Sequence, residues 1–587
     1  MHTRTKIICT IGPAVNTLEK IKELIQAGMN VARLNFSHGT HEEHLAVINT
    51  VKQAREELQT AVAIMLDTKG PEIRLGKLEQ KEIYLSAGQQ WKLIGEEREG
   101  NAEFVQVKPF SAIANLDVGA TVLFDDGYIS SKVIEVKDNE IFVQIENGGT
   151  IKSGKGINIP DVNVALPALT EKDIEDIKFG CEHDIDLIAA SFIRSPEHVI
   201  AIKELLVDLG ASDVQVISKI ENAEGVRNFD HIVQVTDGIM IARGDLGVEL
   251  PLSQVPRLQK MMVHKSCHVG KPTVTATQML ESMIYNPRPT RAETSDVANA
   301  IYDSTTAVML SGETAVGHHP IETVKVMKSI IEETEKDFDY RAYFTRYSSV
   351  VYHDVPSSVT LATVRTAYST NARVIFAFTS SGMTVQSLSR FRPDMTIIAM
   401  TSNPKCYHQM AYMWGVIPFL SEKVDSYDEA LTMISSFALE NRLVDYGDLV
   451  VVTAGNPFGI SGTTNMMIVE SIGDVLVRGH IGYGERIHGN VMILLSPENK
   501  EPYEARGKIL VINRCDTSYE NLIAESIGVI LENPQEDKDS EIAFKALLDA
   551  HQKPGITRAD RATKILKEGG LVTIDPEKAN VYKGVVL

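Results

Sequence analysis

The chain is poor in the residues that build disulfide scaffolds, membrane spans and nucleic-acid grips. Its 587 residues include five cysteines, Cys9, Cys181, Cys267, Cys406 and Cys515, far apart and without a CxxC pair. That spacing argues against a disulfide framework or a zinc site and fits a reducing cytoplasm. No stretch approaches the roughly 18 consecutive apolar residues of a membrane span. Arg4 and Lys6 precede only a short apolar run, so neither membrane insertion nor secretion is expected. Positive charge is in deficit, with 58 Lys+Arg against 78 Asp+Glu and a net charge of -20. That balance argues against a general nucleic-acid or anionic-membrane binder, although not against a local basic pocket. The 16 histidines contain no HExxH; His41 and His44 share a helix that reads as exposed, and zinc is not expected. Internal repeats and low-complexity tracts are also missing.

What is present is ordinary globular composition, 43% hydrophobic and 23% charged, over a length that implies several domains. Short β-branched apolar runs alternate with segments of helical periodicity. They are Ile7–Thr10, Val31–Asn35, Val62–Leu66, Leu187–Ser191, Val214–Ser218, Ile239–Ala242, Thr273–Thr277 and Ala307–Leu310. Eight such βα units predict a closed parallel (β/α)8 barrel whose active site lies at the C-terminal ends of its strands.

Between the third and fourth runs the texture changes to short alternating strands with turns at Asp126-Gly127, Asn147-Gly148-Gly149 and Ser153-Gly154. This predicts a small inserted β domain, placed where it can act as a water-excluding lid. A second α/β pattern follows, then an appended α/β module with glycines at 479, 482, 484 and 489 and strands over 508–513 and 571–574. The expected organisation is a catalytic barrel of 1–69 and 168–337, a β-barrel lid of 70–167, an α/β domain of 338–474 and a module of 475–587.

Polar residues collect at the predicted strand ends. Lys219 and Glu221 are two apart, so a strand sends both to one side, where the amine can meet a phosphate and the carboxylate a metal ion. Arg33 and Asn35 share a side of the second run, with Ser37 in the following loop; Asp67 and Thr68 close the third, and Arg74 can reach a nucleotide phosphate. Hard, mostly neutral oxygens of this kind suit a cation of low charge. Asp245 with Glu221 supplies two carboxylates, enough for magnesium that keeps water and substrate oxygens in its shell. Gly244 leaves room for a substrate carboxylate near the backbone, and Thr277 offers a hydroxyl. Arg243 and Glu313 are expected to pair with each other or with neighbours and are left out of the site, and the capping box Thr290-x-x-Glu293 reads as scaffold. Further on, Thr379-Ser380-Ser381-Gly382-Met-Thr384 and Gly459–Thr464 read as hydroxyl-rich phosphate loops.

In order and in register, Arg33-Leu-Asn35-Phe-Ser37-His38, Asp67-Thr68-Lys-Gly-Pro-Glu72-Ile-Arg74, Ser218-Lys219-Ile-Glu221-Asn, Ala242-Arg-Gly244-Asp245, Ala276-Thr277-Gln-Met and Leu310-Ser-Gly-Glu-Thr314 resemble the pyruvate kinases. The resemblance covers about residues 1–475. It implies phosphoryl transfer from phosphoenolpyruvate to ADP, a C-terminal effector domain and a homotetramer. It also implies roles: Lys219 as stabiliser of the moving phosphoryl group, Arg33 as its grip, Glu221 and Asp245 for Mg2+ or Mn2+, and Asn35, Ser37, Asp67 and Thr68 for K+. Glu72 matches the potassium-dependent form. Gly244, Asp245 and Thr277 match substrate contacts, Thr277 with water being a candidate for protonating the enolate. Asn35, His38, Arg74 and Lys155 fall on the nucleotide side, and Thr379, Ser380, Ser381, Gly382 and Thr384 match a loop that binds a phosphorylated effector, either a sugar bisphosphate, a ribose phosphate or AMP. The tail resembles the mobile domain of phosphoenolpyruvate-utilising enzymes without its Thr-Ser-His-Ala phosphohistidine motif; Asp537-Lys-Asp-Ser540-Glu stands near that place. A metal-dependent lyase acting on an enolate and a catalytically silent ligand sensor are the competing readings. Lys219 and Arg74 speak against the first, and intact polar strand ends against the second.

Overall fold

The computed structural model describes residues 3–137, 139–160, 162, 164, 166–349, 354–424, 426–455, 462–498 and 500–586. They fall into two compact units: Met1–Leu361 with Ala377–Lys423 and Ala454–Asn465, and Ala362–Phe376 with Val424–Thr453 and Met466–Leu587.

In the first unit eight parallel strands close into a barrel: β1 Lys6–Thr10, β2 Val31–Asn35, β3 Ala63–Asp67, β4 Leu187–Ala190, β5 Gln215–Ile220, β6 Gly238–Ala242, β7 Thr273–Ala276 and β8 Ala307–Leu310. The strands alternate strictly, which is how one sequence serves two cores. Ile7, Cys9, Ala32, Leu34, Val216 and Ile220 pack outward in the cluster shared with the helices. Ile8, Val31, Ala63, Met65, Ile217, Met240, Val274 and Met309 fill the barrel interior. Tyr412, from the single turn Met410–Tyr412, belongs to that interior cluster and is fully buried. A Cβ at Gly238 would come within 2.8 Å of its hydroxyl oxygen. The same period of two carries Arg33, Asn35, Asp67 and Lys219 onto the interior side at the C-terminal rim.

The expected strand ends shift slightly. β5 runs on through Lys219 and Ile220, which pair with Met240 and Ile241, instead of stopping at Ser218. β3 begins and ends one residue later than expected, so Asp67 is a strand residue. Local hydrophobicity underestimates both strands because their last inward residues are charged and are neutralised by one another.

The inserted segment forms a closed seven-stranded barrel built from Ile73–Leu75, Gln90–Ile94, Phe104–Lys108, Thr121–Phe124, Ile129–Lys137, Glu140–Ile145 and Gly156–Asn158. Trp91 is fully buried at its centre, edge-on to Phe124 at 5.4 Å, with its indole N–H donated to the Asn101 carbonyl at 2.9 Å. Later in the first unit Thr396–Thr401 and Val416–Leu420 pair in parallel. In the second unit an eight-stranded mixed sheet carries a parallel run through Ile487–Leu494, Lys508–Ile512, Gly528–Leu531 and Gly555–Thr557. Among the described residues no helix is long and apolar enough to cross a membrane.

Candidate active site

Three strands converge on one buried charge network at the barrel mouth. Lys219 Nζ lies 3.0 Å from Asp67 Oδ1 and 3.0 Å from Glu221 Oε1, and donates to Ser191 Oγ at 2.7 Å. Arg33 donates from Nε to Asp67 Oδ2 at 2.6 Å and from Nη1 to Thr10 Oγ1 at 2.8 Å. Burial alone would lower the Lys219 pKa; the carboxylates of Asp67 and Glu221 overcome it and hold the amine charged, its pKa raised. Burial likewise works to raise Asp67, and Arg33 and Lys219 prevail to keep it ionised, its pKa lowered.

Glu221 and Asp245 behave differently. Burial pushes the Glu221 carboxyl up to about 7 despite Lys219, and Asp245 adds to the rise. Asp245 is raised mainly by burial, with Asp126 and Glu72 of the inserted domain contributing. Burial and like charge raise the pKa of both carboxyls, and a hard divalent cation between them favours their ionised forms, so their chemistry fits magnesium or manganese. Among the described residues no group of three His, Cys, Asp or Glu side chains could hold a metal, which leaves the remaining coordination positions to water and substrate. On the other side, register places Asn35 opposite Asp67. Asn35 Oδ1 accepts the Ser37 amide at 3.2 Å, and Thr68 Oγ1 accepts the Ser191 amide at 3.1 Å.

The residues expected on the substrate side include a strained one. Thr277 adopts φ +65°, an unusual conformation for a β-branched residue. Its Oγ accepts the Gly244 amide at 2.9 Å and donates to the Ala276 carbonyl at 2.6 Å. A Cβ at Gly244 would lie 3.6 Å from Thr277 Oγ1, so space there is ordinary; the glycine contributes its amide more than clearance. Arg243 holds this turn in place, bonding the carbonyls of Ala276 and Thr277 and pairing with Asp296 at 2.6 Å. Glu313 accepts the amides of Leu280 and Ser311, so Arg243 and Glu313 each bond neighbours.

A cavity of about 200 Å³ opens between the barrel rim and the inserted domain, lined by Asp245, Glu72, Arg74, Asp126 and Lys155 among others. Arg74 pairs with Glu72 at 2.5 Å and Lys155 with Asp125 at 2.6 Å. Lys219, Arg33 and Thr277 are not among its lining residues. His38 lies in the loop after β2, where its carbonyl accepts from His44 Nε2 at 2.9 Å. His41 and His44 are half-buried, stacked on Phe179 and Phe36, and not exposed as expected, because the aromatic rings offer them an apolar shelf.

Several contributors were missed in the sequence. Ser191 and Phe192 follow β4; the Phe192 amide donates to Glu221 Oε2 at 2.6 Å from a residue at φ +55°. Asn222 caps the next helix through Oδ1, yet its Nδ2 is buried without a partner. The polar sequence Ser191-Phe-Ile-Arg194 at a strand end was the available signal.

The loop expected to bind an effector follows Val374–Phe378 and precedes the helix Met383–Ser389. Its amides are less available than expected, since the Gly382 N–H already donates to Thr379 Oγ1 at 2.9 Å. Thr384 is buried and shares a 2.6 Å hydroxyl contact with Thr464. The Ser380 carbonyl stands 3.5 Å from Asn403 Nδ2, and Ser381 is also engaged. Gly459 to Ser461 of the second loop lie outside the described residues.

The family model described as pyruvate kinase, barrel domain, matches residues 2–324, and that described as pyruvate kinase, alpha/beta domain, matches residues 357–470. The chain belongs to the pyruvate kinase family. The pyruvate kinase of Geobacillus stearothermophilus is 42% identical over 587 residues, covering 100% of this chain and 99% of that protein. That of Sporosarcina psychrophila is 41% identical over 584 residues, covering 99% of each. A crystal structure of a pyruvate kinase from Cryptosporidium parvum superposes with a TM-score of 0.77 at 39% identity, over 80% of this chain and 96% of that one. The protein is therefore a phosphotransferase acting on phosphoenolpyruvate and ADP, with the metal dependence general to pyruvate kinases. Residues past 470 lie beyond both family models but within the full-length matches to the bacterial pyruvate kinases.

Proposed function

We propose that the barrel rim transfers the phosphoryl group of phosphoenolpyruvate to ADP as a step of glycolysis, with Lys219 neutralising the migrating oxygens. The carrying observation is the buried Lys219 ammonium, kept charged between Asp67 and Glu221. Phosphoryl transfer asks the protein for alignment and charge stabilisation and no covalent chemistry, and a preorganised cation in a dry site supplies the second. Arg33 grips the phosphoryl oxygens as a fork donor. Breaking the phosphorus–oxygen bond to the enol leaves an enolate while ADP oxygen bonds phosphorus; a proton then adds to the enolate carbon to give pyruvate. Thr277 and water are the candidates for delivering that proton, and Gly244, Asp245 and Thr277 orient the carboxylate side.

Glu221 and Asp245 would hold Mg2+ or Mn2+, which supplies positive charge to the substrate oxygens when bound. Asn35, Ser37, Asp67 and Thr68 would hold K+, and Glu72 accompanies potassium dependence. Asn35, His38, Arg74 and Lys155 take the nucleotide, the last two from the inserted domain, so closure of that domain brings ADP in and excludes water. Thr379, Ser380, Ser381, Gly382 and Thr384 form the phosphorylated-effector loop. The working form is a cytoplasmic homotetramer. The module of 475–587 is related to the mobile domain of phosphoenolpyruvate-utilising enzymes and, lacking its phosphohistidine, serves structure or regulation.

Formation of ATP from ADP and phosphoenolpyruvate with magnesium, assayed with and without potassium, tests the proposal. Turnover stimulated by potassium is expected, and no turnover by the wild type ends it.

A further inference from the structure

Two crossings connect the inserted domain to the barrel, and they are held in different ways. On the outgoing crossing the Gly70 amide donates to Oδ1 of the buried Asp173 at 2.9 Å. Gly70 has φ +73°, and a Cβ there would meet Ser191 Cβ at 2.8 Å, so this crossing is wedged against the rim. The returning crossing reaches Leu166 and Pro167, whose carbonyls both accept from one nitrogen, Nη2 of Arg194, at 3.0 and 3.1 Å.

Arg194 lies just past β4, is 6% exposed, and lines the cavity under the inserted domain. Its own carbonyl accepts Asn228 Nδ2 at 2.8 Å, which fixes the base of the side chain. Among the described residues no carboxylate lies within 4.0 Å of its guanidinium. Glu224 and Glu249 act on it only at longer range, opposing the fall in its pKa that burial causes. A buried guanidinium held by peptide carbonyls alone is a costly way to pin a loop, unless the place of that loop matters. Charge-assisted bonds are about twice as strong as neutral ones, and two of them act on consecutive carbonyls here.

We infer that Arg194 is a positioning residue for the lid: through the carbonyls of Leu166 and Pro167 it sets the hinge on which the inserted domain, with Arg74 and Lys155, swings over Asp245. It acts through the hinge and does not touch substrate. The inference rests on the reading of the inserted domain as the nucleotide-side lid.

The chain has two tryptophans, and Trp91 is the one in the inserted domain. In a Trp414→Phe background, time-resolved fluorescence anisotropy of Trp91 therefore reports motion of that domain, whether or not the enzyme turns over. Arg194→Met is expected to add a faster correlation time than that of the whole molecule, and Arg194→Lys, able to reach one carbonyl at a time, a smaller amplitude of the same motion. The KM for ADP is expected to rise on the order of tenfold in Arg194→Met, a 1.4 kcal/mol effect. Mn2+ affinity by electron paramagnetic resonance should change less than about twofold. Unchanged anisotropy in a folded Arg194→Met protein overturns the inference, as does an equal loss of Mn2+ and ADP affinity. Should Arg194→Met fail to fold, Arg194→Lys with wild-type anisotropy and KM overturns it as well. Absence of turnover in the wild type would strike the functional reading alone, because the anisotropy still decides the hinge.

Discussion

Asp67 and Lys219 stand 3.0 Å apart at the barrel mouth, joined across 152 positions of sequence. The same carboxylate takes Arg33 on its other oxygen, so one anion bridges the two cations proposed to meet the phosphoryl group, with Glu221 as a second partner of Lys219.

Lys219→Met keeps the length of the side chain and removes its charge. Turnover is expected to fall by about 10²–10³ or more, the loss typical of deleting a transition-state charge partner. Substrate and Mn2+ binding should persist. Near-normal turnover in a steady-state assay would remove Lys219 from its role.

Asp67→Ala leaves Arg33 and Lys219 buried with one carboxylate fewer. The expected destabilisation is about 3–5 kcal/mol, the range for breaking a buried pair from one side. Urea unfolding reads it, and an unchanged midpoint would mean that the network tolerates the loss.

Thr290→Ala breaks a capping box in which Thr290 and Glu293 satisfy each other's amides. Stability should drop by about 1 kcal/mol while turnover stays at the wild-type value. A fall in turnover without loss of stability would give this helix start a part in the chemistry after all.

His408 gives a pH dependence. Its Nδ1 accepts the Val62 amide at 3.4 Å, and burial, then Arg55, hold its pKa down to about 3. The unfolded ring titrates near 6.5. The unfolded state therefore binds more protons in between, and the stability is present in full above about 6.5 and lost as pH falls toward 3, with a slope of at most about 1.4 kcal/mol per unit. Urea unfolding at pH 7.5 and pH 5 should show a smaller difference for His408→Asn than for wild type; equal differences would acquit the ring.

Much of the site was legible because two rules act locally. Period-two alternation put Arg33 with Asn35, and Lys219 with Glu221, on one side of their strands before any fold was known. The barrel rule then placed their ends together. What escaped depends on contacts between distant segments. Ser191 becomes a partner of Lys219 only because β4 and β5 are neighbours, and Asn222, read as part of a motif, discloses its unpartnered Nδ2 only once the chain is packed. The end of β5 was placed too early because a lysine in a strand reads as a boundary until opposing carboxylates are known. The hydroxyl-rich loop at Thr379 was recognised as a turn before a helix, but composition does not reveal that its own side chain caps the Gly382 amide.

The phenol at Tyr412 carries a consequence for biosynthesis. β8 ends at Leu310, so all eight strands leave the ribosome about 100 residues ahead of the group that stops their lower opening. At translation speeds of roughly 5–20 residues per second, that interval is on the order of 5–20 s. Until then Ile8 and Ile217 lack the aromatic ring that completes their buried cluster, and a fragment ending after β8 lacks it permanently.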